Sequence, residues 1–410
     1  MVSAFHNSQP FDIGLLLFPG LVLFLSLIIL GYLGSKSLTI ALLIATIKTS
    51  FFILYFGFFF DGTYTTGADD EHYLSTGYKL YLFFLDGSSE VTINNIKNIV
   101  VGSHFIYNIL NAIAFLLFGV FYFSPVVINI IISAAAAVIS VKIIKQQQIL
   151  HGRHLNYFFL FFVLHPELLS WSTVFNLKDV LVLFMHVLLL YSVSLFVLQK
   201  KMAALFIGFG ATVILVALRF YVPFIFGLSF LMYIITGMKL NFKKVITFGT
   251  SISLFLLFVV PWDYLTYSLD AYKNSMINPL TGVVHFLLAP RPFFTDEIYA
   301  VLNFASLIHW LFFPMFLMGI YVGLKPKNKF IYFLVIYLLT FVLFYGSFEF
   351  LNGSRHRLQL LFVFSVFQFI GLKWFIRQIS PRKVINSPDK AGTKLTRESD
   401  QSISTTAVGE

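Results

Sequence analysis

Residues 13–33 read IGLLLFPGLVLFLSLIILGYL, a run without a single charge. A helix crosses a bilayer with about 20 apolar residues, so this stretch is long enough to span. Pro19 inside it is no obstacle, because neighbouring helices can satisfy the freed backbone groups. Similar stretches recur at 38–60, 105–123, 126–144, 155–174, 179–198, 202–218, 222–238, 245–261, 304–323, 329–349 and 358–377. The chain as a whole is 58% apolar and 11% charged, whereas a soluble domain carries roughly 25% charged residues. These residues cannot coat a water-exposed globule. They define an all-α, polytopic integral membrane protein with about 11–12 transmembrane helices, and any function must be assembled from helix ends and the few longer connectors.

The multi-spanning domain covers residues 1–380, with long loops at about 61–104 and 262–303, and the polar stretch 381–410 reads as a disordered cytoplasmic tail. The N-terminal MVSAFHNSQPFDIG has no basic n-region and no cleavage signature, so the first apolar stretch is expected to remain in the mature chain. With no Cys, disulfides, thiolate metal sites and cysteine nucleophiles are excluded. The formal charge of +10 fits topology better than nucleic acid.

Charge placement orients the chain. Connectors 34–37, 145–154, 199–201, 239–244 and 324–328 hold Lys36, Lys145, Arg153, Lys200, Lys201, Lys239, Lys243, Lys244, Lys325 and Lys327 with no Asp or Glu, and read as cytoplasmic. The acids Asp61, Asp69, Asp70, Glu71, Asp86, Glu90, Glu167, Asp263, Asp270, Asp296 and Glu297 fall in the other connectors, which read as extracytoplasmic. One parity conflict follows: 105–144 is long enough for two helices but is allowed only one crossing. Either 105–123 is a partly embedded or re-entrant segment, or the long acidic loop lies on the cytoplasmic side. Outer placement gathers the polar clusters on one face and is the favoured reading.

Within that face, Asp69-Asp70-Glu71-His72-Tyr73 opens with three consecutive carboxylates. Mutual repulsion requires a bound cation or a raised pKa, and either suits a general base; the plain alternative is a solvated acidic turn. His72 reads as a local hydrogen-bonding partner. Around His165-Pro166-Glu167, Pro166 interrupts a helix, and Lys178-Asp179 opens the next. Asp179 suits a helix N-terminus, whereas Lys178 opposes the helix dipole. Lys178 therefore calls for an anionic partner: Asp179, Glu167, Asp69, Asp70 or a lipid phosphate. Arg219 sits between two apolar stretches, where a charge either snorkels or faces a cavity. Arg291, in Pro290-Arg291-Pro292, follows a stretch too short to span. Arg355-His356-Arg357, before the last helix, is a donor cluster suited either to phosphate or to headgroup anchoring. P-loop, dinucleotide, HExxH and GxSxG motifs are absent.

This order of features resembles bacterial polytopic glycosyltransferases of the GT-C type, which use polyprenyl-phosphate sugars, and the related surface-polysaccharide polymerases. The matching residues are Asp69, Asp70 and Tyr73, then Pro166 with Trp171-Ser172 and Lys178-Asp179, Arg219-Phe220-Tyr221, Pro290-Arg291-Pro292 and Arg355-His356-Arg357. Two apolar helices precede the acidic loop, where many members have one, and the soluble C-terminal domain of several members is missing. The resemblance implies a GT-C-like fold and transfer of sugar from a polyprenyl-(di)phosphate donor to a glycan acceptor on the outer face of the inner membrane. It makes Asp69 or Asp70 the base, or the ligands of a divalent cation (Mg or Mn) if one is used. It makes Lys178, Arg219, Arg291, Arg355, His356 and Arg357 the phosphate-binding set, with Glu71, Tyr73, Glu167, Trp171 and Asp179 in support. Tyr73, Tyr78 and Trp171 are candidates for stacking on sugar rings. The competing function is a lipid-linked oligosaccharide flippase or other transporter.

Overall fold

The computed structural model describes residues 9–62, 68–86, 104–199, 202–237, 273–294, 300–351 and 353–380, together with Ile96, Ile99 and Val100. The apolar stretch 245–261, the acids Glu90, Asp263, Asp270, Asp296 and Glu297, and the tail 381–410 lie outside the described residues. The described residues form fifteen α-helices and no strands: α1 Ile13–Ser35, α2 Leu38–Leu54, α3 Ala68–Asp86, α4 Phe105–Phe118, α5 Phe123–Gln146, α6 Arg153–Val163, α7 Pro166–Thr173, α8 Asp179–Gln199, α9 Met202–Arg219, α10 Tyr221–Gly237, α11 Pro279–Leu288, α12 Leu302–Leu324, α13 Lys329–Gly346, α14 Ser354–Leu358 and α15 Leu361–Ile379. Seven of them are long and apolar enough to cross a membrane: α1, α2 with its π-turn Tyr55–Phe59, α5, α8, α12, α13 and α15.

Local chemistry sets the helix ends. Asp12 caps α1 by accepting from the Gly14 amide at 2.7 Å, and Lys36 closes it in the left-handed region at φ 57°. Asn328 caps α13 through the amides of Phe330 and Ile331, and its own Nδ2 donates to the Gln147 carbonyl at 3.0 Å. That bond ties the starts and ends of helices bearing Lys145, Lys325 and Lys327 into one basic end of the bundle.

The opposite end collects the polar clusters, and chain direction follows from paired contacts. Helices α8 and α9 are antiparallel, with Ser192 on Ala204 at the basic end and Asp179 on Arg219 at the other. Helices α10 and α13 are likewise antiparallel, from the Tyr221–Phe344 ring stack to Phe230–Phe333. Helices α12 and α15 run parallel and touch backbone to backbone at Gly319 and Gly371. There a Cβ would overlap the Phe367 and Met315 carbonyls.

The 155–174 stretch breaks at Pro166 as its sequence indicates: α6 ends at Val163 and Pro166 opens α7, because proline cannot supply the amide that continuation needs. One stretch departs from the sequence expectation. Residues 68–86, expected as loop, form the amphipathic helix α3. Its three carboxylates occupy the first turn, where the helix dipole favours negative charge.

The parity conflict resolves in favour of the first alternative, a 105–123 segment that does not cross. His104, before α4, meets Lys178, and Tyr122, after α4, meets Asp70 and the Asn176 amide. The 14-residue α4 thus enters and leaves at the same end of the bundle. Between residues 104 and 147 the chain crosses once, through α5.

Candidate functional site

The site is built on residues 174–178, irregular backbone buried between α7 and α8. Buried backbone without secondary structure must find partners. Asn129 of α5 donates to the carbonyls of Phe175 (3.4 Å) and Leu177 (3.3 Å) and to the Tyr107 hydroxyl (2.9 Å). Tyr107 donates to Asn176 Oδ1 at 2.7 Å, and Asn176 Nδ2 donates to Asn111 Oδ1 at 2.8 Å. This network fixes Lys178 and Asp179 at the mouth of α8.

Asp179 is fully buried and organises the cations. Its Oδ1 accepts from Arg219 (2.7 Å) and Gln359 (2.7 Å), and its Oδ2 from Arg355 Nε (2.6 Å). Arg355 reaches on to Asp69 Oδ2 at 2.7 Å. Arg219 also donates to the Tyr221 hydroxyl at 2.8 Å and to His356 Nε2 at 3.0 Å; since arginine only donates, that ring nitrogen is an acceptor. Burial, then the Arg219 charge, holds His356 well below its ordinary value, so the ring is neutral. Burial also acts to raise the Asp69 carboxyl, but the charge and hydrogen bond of Arg355 override it and hold the group below the usual carboxylate range.

Among the described residues, Lys178 meets no carboxylate within ion-pair distance. Its Nζ lies 2.9 Å from Nδ1 and 2.6 Å from Nε2 of His104, and 5.5 Å from the centre of the Tyr73 ring. His104 holds a left-handed φ of 104°, a conformation costing on the order of 1–3 kcal/mol in a non-glycine residue. Burial holds its ring well below the ordinary imidazole value. Sequence reading did not single out His104, because a lone histidine offers no spacing to interpret. Asp69, His104, Lys178, Arg219, Tyr221, Arg355 and His356 line a cavity of about 270 Å³.

A larger cavity of about 940 Å³ shares Arg355 and His356 with it and adds Trp171, His285, Arg291 and Trp310. Arg291 is exposed on its rim.

The other expected residues lie elsewhere. Arg357 is 1% exposed and turns away from both cavities. It binds the buried Glu167 through Nε (3.0 Å) and a second, shorter contact, and donates to the carbonyls of Phe286, Leu287 and Ala289. It is a strut that holds the end of α11 against α7. Asp70 is fully buried and accepts from the Tyr122 hydroxyl at 2.9 Å. Asp69 and Asp70 therefore face different partners and do not form one cation site as placed. Among the described residues no group of three or more His, Cys, Asp or Glu side chains could hold a metal. Glu71 and His72 are exposed.

The fold is similar to that in the crystal structure of ArnT from Cupriavidus metallidurans in the apo state, with a TM-score of 0.52 over 81% of this chain at 11% identity. This agrees with the GT-C-like architecture that the resemblance implies, and at such identity it speaks for the fold alone. The match covers 59% of the ArnT chain, so this chain spans under two thirds of its length. No family model matches the sequence, and neither does any curated protein.

Proposed function

We propose that this chain is a membrane glycosyltransferase that moves a sugar from a polyprenyl-(di)phosphate donor to a hydroxyl acceptor at the outer end of the bundle, in assembly of a cell-surface glycan. The observation that carries the reading is the small cavity, where one partly exposed carboxylate, Asp69, faces Arg355, Arg219 and Lys178 at the end of an apolar bundle. Asp69 accepts the proton of the acceptor hydroxyl as its oxygen attacks the anomeric carbon. The bond from that carbon to the phosphate oxygen breaks, and its electron pair stays on the phosphate. Arg219 and Arg355, pre-oriented by Asp179, donate to the charge that develops there. A prenyl chain would leave the cavity between apolar helices, and the larger cavity, with its two tryptophans and Arg291, has room for the acceptor.

The test is to incubate purified protein in detergent with a radiolabelled polyprenyl-phosphate sugar and lipid-linked glycan. A new glycosidic bond supports the reading. Transfer undiminished in Asp69→Asn refutes the base, and movement of the lipid across proteoliposomes without covalent change refutes the enzyme.

A further inference from the structure

Among the described residues, the charges around Lys178 balance without it. Facing it are Asp69 and Tyr73 from α3, His104 ahead of α4, Asp179 from α8, Arg219 at the end of α9, and Arg355 and His356 from α14. Arg219 and Arg355 contribute two positive charges, and Asp69 and Asp179 two negative ones, all joined in ion pairs of 2.6–2.7 Å. An ammonium at Lys178 would be an uncompensated charge on a side chain only 4% exposed, and burying such a charge is costly. Its immediate contacts are an imidazole and an aromatic face, neither of them an anion. Both arginines are already paired with carboxylates, so they can donate hydrogen bonds to an incoming anion but the four groups together bring it no net charge.

We infer that Lys178 is an uncharged amine in the resting site and takes up one proton when the phosphate group of a prenyl-linked donor enters, so that donor binding is proton-coupled. This rests on the reading of the small cavity as the phosphate site. One proton leaves solvent and bonds to the Nζ lone pair, and no covalent bond of the donor breaks. The single negative charge of a phosphodiester then meets a single new positive charge, and His104 holds that ammonium by accepting one of its N–H bonds. Burial, followed by the Arg219 and Arg355 charges, holds the Lys178 amine well below its ordinary value in the empty site, in line with this balance.

The probe is a short-chain prenyl phospho-sugar, a diester whose charge does not titrate near neutral pH. Calorimetric titration of the full chain in buffers of different ionisation enthalpy should record about one proton taken up per ligand bound, and affinity should fall by up to about tenfold per pH unit on the alkaline side. Lys178→Arg carries a permanent charge and should abolish both the uptake and the pH slope; Lys178→Met should abolish the uptake if the arginine variant does not fold. Wild-type binding without proton uptake overturns the inference, as does uptake that persists in either variant. No binding by the wild type refutes the assignment of the phosphate site itself.

Discussion

Asp69 and Asp70 are neighbours in sequence with different surroundings, so their amides should behave differently. Asp69→Asn removes the accessible base and one anchor of Arg355. A loss of about 10²–10⁴ in kcat/KM is expected, with little change in thermal unfolding because the Asp69 side chain is 45% exposed. Asp70→Asn still accepts from Tyr122 and should lose less than about tenfold (under 1.4 kcal/mol). The ionised form of Asp69 is favoured by folding, so its contribution to stability is present above the unfolded carboxylate value and is lost as pH falls through the lower folded value. The acid limb of the pH–rate profile should accordingly lie below the usual carboxylate range, and Arg355→Met should move it upward. Arg357 illustrates why sequence reading grouped too much. In Arg355-His356-Arg357 successive helical residues are about 100° apart, so the first and third face opposite ways, one into the cavity and the other into the core. Arg357→Ala leaves the buried Glu167 without its guanidinium partner, with only His309 at 3.5 Å, and should cost about 3–5 kcal/mol, read by thermal unfolding. Joint replacement with Glu167→Ala should restore part of that loss.

At the level of elements, close backbone approach fixes the bundle. Gly319 and Gly371 let α12 and α15 meet without side chains between them, and Gly282 does the same for α11 against Gly346 of α13. Gly319→Leu or Gly371→Leu should lower the unfolding temperature in detergent sharply. Gly210→Ala, on α9 with nothing within 4 Å of the added methyl, is the control and should not lower it. Hydropathy made most of these helices legible because a bilayer demands about 20 apolar residues per crossing, and that demand needs no tertiary information. It failed where tertiary contacts decide. Helix α3 begins with three acids and looks like a loop until the helix dipole and Arg355 are considered. The α6–α7 break showed in Pro166, but the consequence did not: residues 174–178 stay irregular because Asn129 and Tyr122 bond their backbone while Tyr107 and Asn111 hold the Asn176 side chain. His104 is a site residue only because the fold brings the start of α4 to Lys178 at the mouth of α8.

For the whole molecule, the separation of charge between the two ends makes topology testable, and the absence of cysteine makes the test clean, since every introduced thiol is unique. The return of α4 predicts which positions share a face. Glu71→Cys and Met276→Cys sit on exposed side chains at the site end, and Val120→Cys sits in the connector after α4. All three should react with a membrane-impermeant maleimide from one side. Arg153→Cys and Lys325→Cys, exposed at the basic end, should react only from the other side. Labelling intact spheroplasts against inverted vesicles gives the absolute assignment, with the basic end expected on the cytoplasmic side by the bias of lysine and arginine. Val120 is the decisive position. If α4 crossed the membrane, Val120→Cys would label with Arg153→Cys, the conflict at 105–144 would reopen, and His104 could not sit at the same end as Tyr122. If it labels with Glu71→Cys, one crossing through α5 carries the chain from the Lys178 cavity to the basic end. Both ends of α4 then lie at the site end, His104 on Lys178 and Tyr122 on Asp70, without a further span.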